Sequence, residues 1–287
     1  MYDPVWRHPS TSSEAVGILA DSGSSARVIA GGTDLTVLIR NGSVRPDVLI
    51  DIGRLDELRF IRERDGETRI GALATHREVA ADVRIQARAP VLAAACRSVG
   101  SPQIRARGTL AGNLANASPA ADSAVALLAL GASAVVEPPN GTGATGSIPL
   151  ESLFLGPGET AIRPNQLLRS LRFATPSERS RSAYCKIGQR RALAIAIVSI
   201  AAVFEPEAGT VSIALGSVAP TPVRAIDAEA LFASEWSAGG DRDRLLAAVA
   251  EKARDAANCI DDVRASGHYR TLLVETLTRR ILDEICR

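Results

Sequence analysis

The stretch from Gly108 to Asp122, GTLAGNLANASPAAD, combines glycines, small hydroxyl and amide residues and one acid, with almost no bulk. Glycine has no Cβ, so such a backbone can approach a large ligand closely. Thr109, Asn113 and Ser118 can hydrogen-bond, while Asp122 accepts from hydroxyls and is a poor neighbour for phosphate. The ligand implied is long and polar, with a phosphate end and a hydroxyl-bearing end. A dinucleotide fits. An earlier stretch, VIAGGTDLTVLI from Val28 to Ile39, points the same way. Val28 and Ile29 read as the end of a buried strand. Ala30, Gly31, Gly32, Thr33 and Asp34 form a small-residue turn, and Leu35, Leu38 and Ile39 recur at helical spacing. A strand, a Gly-Gly turn and a helix start aim backbone N–H groups at an anion. The same turn also serves as a plain βα connection; two such loops in one chain favour a shared ligand.

The elements that must position these loops follow from periodicity. Residues 10–52 read as βαβ: an amphipathic Ser13–Leu19, a strand Arg27–Ala30, a helix Thr33–Asn41 and a strand Val48–Ile52. Next come a strand Glu67–Leu73 and helices His76–Val83 and Pro90–Val99. The last carries Leu92, Ala95, Cys96 and Val99 at i, i+3, i+4 and i+7. Helix Ser123–Leu130 is followed by a hairpin, Ala132–Val136 with Gly146–Pro149, and by a strand Leu167–Phe173. The segment Gly141–Gly146 matches G-x-G-x-x-G letter for letter, but it follows two prolines and opens no helix. It reads as a flexible turn. The polar stretch Ala174–Ser182 reads as a domain boundary. Strands Ser182–Ile187, Ile195–Phe204 and Thr210–Ser217 follow, then helices Asp227–Phe232, Arg242–Ala257 and Gly267–Cys286. Strands first and helices afterwards suggest an α+β unit.

Composition excludes several classes. The chain has 287 residues, 46% hydrophobic and only 3% aromatic, with a net charge of +1. Such a balance lacks the basic face that nucleic-acid binding needs. No basic and apolar leader follows Met1 and no run of about 18 apolar residues occurs, so no signal peptide or membrane span is expected and a cytoplasmic protein is predicted. The four cysteines, at 96, 185, 259 and 286, have no CxxC or His spacing. They read as reduced thiols, and no metal site is expected on this chain. With three histidines and no G-x-S-x-G, a nucleophilic triad is hard to build. His76 follows Thr75, which caps its helix, with Glu78 in the first turn, and reads as solvent-facing. Lys186, Gln189, Arg190 and Arg191 form a basic knot; seven basic residues fall between Arg169 and Arg191. Such runs usually form a solvated turn.

The pattern Ala30-Gly-Gly-Thr33, followed by T-x-x-G-N-x-x-x-A-S-P-x-x-D at Thr109–Asp122, resembles the pyrophosphate loops of the FAD-binding subunit of molybdenum hydroxylases. That family includes the medium subunits of carbon monoxide dehydrogenase and nicotine dehydrogenase and the flavin domain of xanthine dehydrogenase. Further matches are YDPVWRHP at Tyr2–Pro9, YCKIGQRRALA at Tyr184–Ala194 and GSVAPTPVRA at Gly216–Ala225. The resemblance covers essentially the whole chain. It implies an α+β protein: a two-lobed α/β FAD-binding domain of the vanillyl-alcohol-oxidase type over residues 1–175, then a small α+β C-terminal domain over 176–287. It implies FAD on this chain, held by Ala30–Leu35, Thr109, Leu110, Gly112, Asn113 and Ser118. Thr75 would lie near the cofactor and Asp122 against the ribityl chain or the ring. Leu168 would offer backbone atoms to adenine, and Lys186 would reach the flavin and tune it. Molybdopterin and [2Fe–2S] clusters would sit on a large and a small partner subunit, in a dimer of heterotrimers. Two rival readings are a stand-alone flavoprotein oxidase or reductase of the same fold and a partner-binding module that has lost FAD.

Overall fold

The computed structural model of the chain describes residues 2–138, 145–190, 192–237 and 239–287. It begins with a three-stranded sheet ordered β1-β3-β2, built from Val5–Arg7, Val48–Asp51 and Ala26–Ile29. β3 pairs in parallel with both neighbours, as the βαβ pattern requires. Helix α1 (Ser12–Ser22) buries Ala15, Val16 and Leu19 on one face, and α2 (Leu35–Arg40) follows the Gly-Gly turn. β1 escapes the sequence reading because all three of its residues are exposed, so no alternation marks it.

A second sheet runs β4-β5-β10-β6-β7, from Ile61–Arg64, Glu67–Gly71, Leu167–Ala174, Ser133–Glu137 and Gly146–Pro149. Its observed pairings are antiparallel, the expected hairpin of β6 with β7 included. Residues 141–144 of the glycine-rich turn lie outside the described residues. Between β5 and β6 lie α3 (His76–Ala81), α4 (Val83–Arg88), α5 (Pro90–Ser98), α6 (Pro102–Arg107), α7 (Leu110–Ala115) and α8 (Asp122–Ala129). α4, α6 and α7 span only six residues each, too short for an apolar period to declare itself. A one-turn helix α9 (Leu150–Leu153) and the ribbon β8 (Phe154–Gly156) with β9 (Glu159–Thr160) lead back to β10.

The last sheet, β11-β12-β13-β14, comprises Arg181–Gly188, Ala196–Glu205, Thr210–Gly216 and Val223–Arg224. α10 (Ile226–Trp236), α11 (Arg242–Arg254) and α12 (Gly267–Ile285) pack about one face. The other face meets α5 and α8. β12 shows this in its alternation: Ala201 and Val203 join the core of the first part, while Ile200, Ala202 and Phe204 join the core under α10–α12. α8 lies so close to the sheet that a Cβ on Gly216 would stand 2.4 Å from Val125 Cγ2 and 2.5 Å from Ser199 Oγ.

Candidate functional site

The two small-residue loops meet. A Cβ on Gly31 would fall 2.0 Å from the Arg107 carbonyl oxygen and 3.1 Å from Gly108 Cα. A Cβ on Gly108 would in turn stand 3.3 Å from Thr33 Oγ1. Gly32 has a φ of +72°, a left-handed conformation that favours glycine. Ala30, Gly31, Gly32, Thr33 and Leu35 are half-buried and Asp34 is exposed, so this first loop keeps an open side.

In the second loop the backbone is helical from Leu110, which corrects the reading of the whole stretch as a bare loop. Thr109 Oγ1 accepts from Gly112 N at 3.0 Å and caps α7. Leu110 is fully buried, so its side chain belongs to the core. Gly112 is exposed and Asn113 half-buried at the open end of α7. Ser118 Oγ accepts from Ala120 N at 3.3 Å beside Ala117, whose φ is +46°.

Thr75 joins the same junction by a one-residue antiparallel bridge to Thr109. His76 N donates to Gly108 O and Leu110 N donates to Ala74 O. The Thr75 hydroxyl and the Glu78 carboxylate form a reciprocal capping box at the start of α3. That docking corrects the expectation for His76. Its ring is only 2% exposed, because the first turn of α3 is clamped beneath the Gly108 strand. Burial, with the Arg105 charge second, lowers its pKa from 6.5 to about 4. The unfolded chain therefore binds a proton near pH 6.5 that the folded chain refuses until about pH 4. Stability falls as pH drops through that window, by an amount on the order of 3 kcal/mol from this group. His76→Phe should flatten the fall between pH 6.5 and 4 in urea titrations at stepped pH; an unchanged slope would refute the burial effect.

From the loops a polar track leads to charge. Ser123 Oγ donates to Asn113 Oδ1 at 2.6 Å, joining α7 to the first turn of α8. The adjacent Asp122 accepts from Tyr184 OH at 2.7 Å and from Lys186 Nζ at 2.6 Å. Lys186 Nζ also donates to Ser98 O at 3.0 Å. The pair is enclosed, with side-chain exposures of 12% for Lys186 and 7% for Asp122. Burial pushes the Asp122 carboxyl up, and the Lys186 charge and the hydrogen bonds oppose it. Burial and the Asp122 charge raise the Tyr184 phenol well above its ordinary value. Tyr184 was not anticipated. Strand alternation could have found it, since Tyr184 and Lys186 share one face of β11 while Ala183, Cys185 and Ile187 pack on the other core.

The remaining residues lie apart from this track. Leu168 sits in β10 opposite Val136, beside a bulge, with its side chain buried. Gln189 Nε2 reaches the Val263 and Arg264 carbonyls, and Arg190 closes its own turn on Leu193 O. Arg191 lies outside the described residues. Burial pushes the Cys185 and Cys286 thiols up to about 12, so these are inert thiols. Among the described residues no cluster of His, Cys, Asp or Glu could hold a metal ion.

Residues 1–176 match the family model described as the FAD binding domain in molybdopterin dehydrogenase, and residues 183–285 match the CO dehydrogenase flavoprotein C-terminal domain. This chain belongs to the FAD-binding subunits of the molybdopterin dehydrogenases. It is similar to the carbon monoxide dehydrogenase medium chain of Hydrogenophaga pseudoflava, at 32% identity over 96% of this chain and 94% of that one. The xanthine dehydrogenase FAD-binding subunit of Escherichia coli O157:H7 is 31% identical over 99% and 97% of the two chains. The solved structure of carbon monoxide dehydrogenase from Hydrogenophaga pseudoflava, in a form lacking the Mo-pyranopterin moiety, superposes with a TM-score of 0.91 at 30% identity. That match covers 99% of this chain and 98% of that one. The α+β architecture of an FAD-binding domain followed by a C-terminal domain is thereby established, as is membership among oxidoreductase subunits. No helix among the described residues is long and apolar enough to cross a membrane.

The site suits the cofactor of this FAD-binding subunit. Gly31 and Gly108 let two backbone segments close on each other with no side chain between them. Beside them stands a buried imidazole whose Nδ1 has no hydrogen-bond partner among the described residues. A phosphate-bearing ligand is what such a bare, donor-rich junction accepts.

Proposed function

We propose that this chain is the FAD-carrying electron-transfer subunit of a multisubunit molybdenum hydroxylase. Electrons would arrive through [2Fe–2S] clusters on a small partner subunit from a molybdopterin centre on a large one, and leave to an external acceptor. The complex would be a cytoplasmic dimer of heterotrimers. The observation that carries this is the continuous path from the Gly31–Gly108 junction through Asn113 and Ser123 to the Asp122–Lys186 pair. It offers a phosphate-type end and a charged end to one elongated ligand.

In this reading the folding units are residues 1–175 and 176–287. Ala30–Leu35 hold the diphosphate through backbone N–H groups, Thr109, Leu110, Gly112 and Asn113 close on it from the second loop, and Thr75 fixes that loop from behind. Ser118 and Asp122 face the middle of the cofactor, and Leu168 contributes backbone atoms toward adenine. FAD, when bound, supplies the electron-carrying ring. The Lys186 ammonium would supply a cation able to hold negative charge on a reduced ring. Asp122 and the Ser98 carbonyl fix that ammonium in place, using two of its three protons.

The test is purification of the tagged full chain from its native host. It should bring down a molybdopterin protein and an iron–sulfur protein, and acid precipitation should release the flavin colour to the supernatant, as FAD held without a covalent tether must. Recovery of a lone flavoprotein that turns over a small molecule at ordinary enzyme rates would favour the stand-alone oxidase. Recovery of a colourless chain would favour the module that has lost FAD.

A further inference from the structure

We propose that His76 is a cofactor-binding residue, donating its Nε2–H to the diphosphate of the bound dinucleotide. This rests on the FAD reading above. The carrying observation is a mismatch. His76 is 2% exposed, its side chain makes no hydrogen bond to the described residues, and among them its buried Nδ1 has no partner. Buried polar groups are almost always partnered, so a ring this enclosed in which neither nitrogen bonds to a described residue has a donor to offer a ligand.

Geometry says what that is. The Cδ2 edge of the ring stands 3.5 Å from the point where Gly108 would carry a Cβ. Thr33 Oγ1, from the other loop, stands 3.3 Å from the same point. In an imidazole Cδ2 is bonded to Nε2 and lies across the ring from Nδ1. The edge turned to the loop junction is therefore the Nε2 edge, and the sealed nitrogen faces inward. A buried bare lone pair is tolerated more readily than a buried bare N–H. The proton of the neutral ring therefore sits on Nε2, on the side of the loops. Burial and the Arg105 charge keep the ring neutral, so this donor is fixed rather than switched.

The local charge agrees. Arg105, on α6, spends its guanidinium on the Val99 and Gly100 carbonyls. Among the described residues no carboxylate forms an ion pair with it. A neutral donor and a cation without a carboxylate counter-charge among the described residues, beside the Gly31–Gly108 junction, form an anion site. Diphosphate is the ligand that the proposed cofactor brings there.

The experiment compares full-length wild type, His76→Phe, His76→Gln and His76→Asn, each freed of flavin, in titrations with FAD followed by quenching of flavin fluorescence. A Gln amide nitrogen reaches the place of Nε2, whereas an Asn amide reaches that of Nδ1. His76→Phe should bind FAD about tenfold more weakly, the loss of one hydrogen bond to a charged group. His76→Asn should match it and His76→Gln should recover most of the affinity. In long-range ¹H–¹⁵N spectra of the wild type, the resonance missing from His76→Phe should report the Nε2–H tautomer and should shift when FAD is added. Equal FAD affinity in wild type and a folded His76→Phe would overturn the assignment while leaving the FAD reading intact. Rescue by Asn instead of Gln, or an Nδ1–H tautomer, would also overturn it. Failure of the wild type to bind FAD at all would sink the FAD reading itself.

Discussion

Gly31→Ala should leave the chain unable to retain FAD, and should do so by prising its own loops apart. The smallest possible side chain there falls 2.0 Å from the Arg107 carbonyl oxygen and 2.7 Å from its carbonyl carbon. Both atoms are backbone, so no rotamer relieves the contact. The Gly-Gly loop or the end of α6 must move by more than an ångström, and the junction that assembles the N–H groups opens. Overpacking of this kind costs about 1–3 kcal/mol of stability. The effect on binding is larger, because several backbone donors lose their common focus. The resemblance implies only that Gly31 lies against the cofactor; in the structure a side chain there strikes protein first. Gly112 differs. A Cβ there meets only the Thr109 hydroxyl, at 2.7 Å, and a hydroxyl can rotate away. Gly112→Ala should therefore cost about 1 kcal/mol, the value of the lost cap, and keep most of its flavin. Flavin content after gel filtration, with a thermal melt of each variant, separates the two. Full flavin occupancy in Gly31→Ala would mean that the junction is soft and that the diphosphate binds elsewhere.

The Gly-Gly turn and most strands were legible because each rests on a local rule. Gly-Gly after Val28–Ile29 announces a strand-to-helix turn, and the long apolar strand Ala196–Glu205 announces itself by composition. The junction between the loops was not legible. Gly31 meets Arg107 across 76 residues of chain, a separation that no local rule spans. His76 was misread for the same reason. A lone histidine after a capping threonine is solvent-facing on local rules, and its burial comes from Gly108, a distant partner in sequence. Tyr184 lay within reach, since its alternation with Cys185 is visible; what the sequence could not supply was Asp122 as the group it meets.

Removing either half of the Asp122–Lys186 pair should destabilise the chain by about 3–5 kcal/mol, because each leaves the other charge buried without its counterpart. Asp122→Ala strands the Lys186 ammonium and the Tyr184 hydroxyl together. Lys186→Met strands the Asp122 carboxylate, and here pH separates the variants. Burial already pushes the Asp122 carboxyl above 3.8, and the Lys186 charge is the first force opposing it. Without Lys186 the folded carboxyl takes a proton more readily than the unfolded one. A raised folded pKa favours the folded state at low pH and loses that advantage as pH rises through it. The deficit of Lys186→Met should thus shrink toward pH 4 and widen toward neutrality. That of Asp122→Ala should not shrink in acid, since the group that titrates there is gone. The double variant Asp122→Ala/Lys186→Met should lose less than the two single losses added, as coupled groups in contact do. The pair ties α8 to β11, so the same losses should appear in the seating of the C-terminal sheet on the FAD domain. Urea unfolding of the three variants and wild type at pH 4.5 and pH 7 measures all of this. Additive losses, or a pH-independent deficit in Lys186→Met, would show that the pair is not an ion pair in the folded chain and would remove Lys186 as the cation held ready for the flavin.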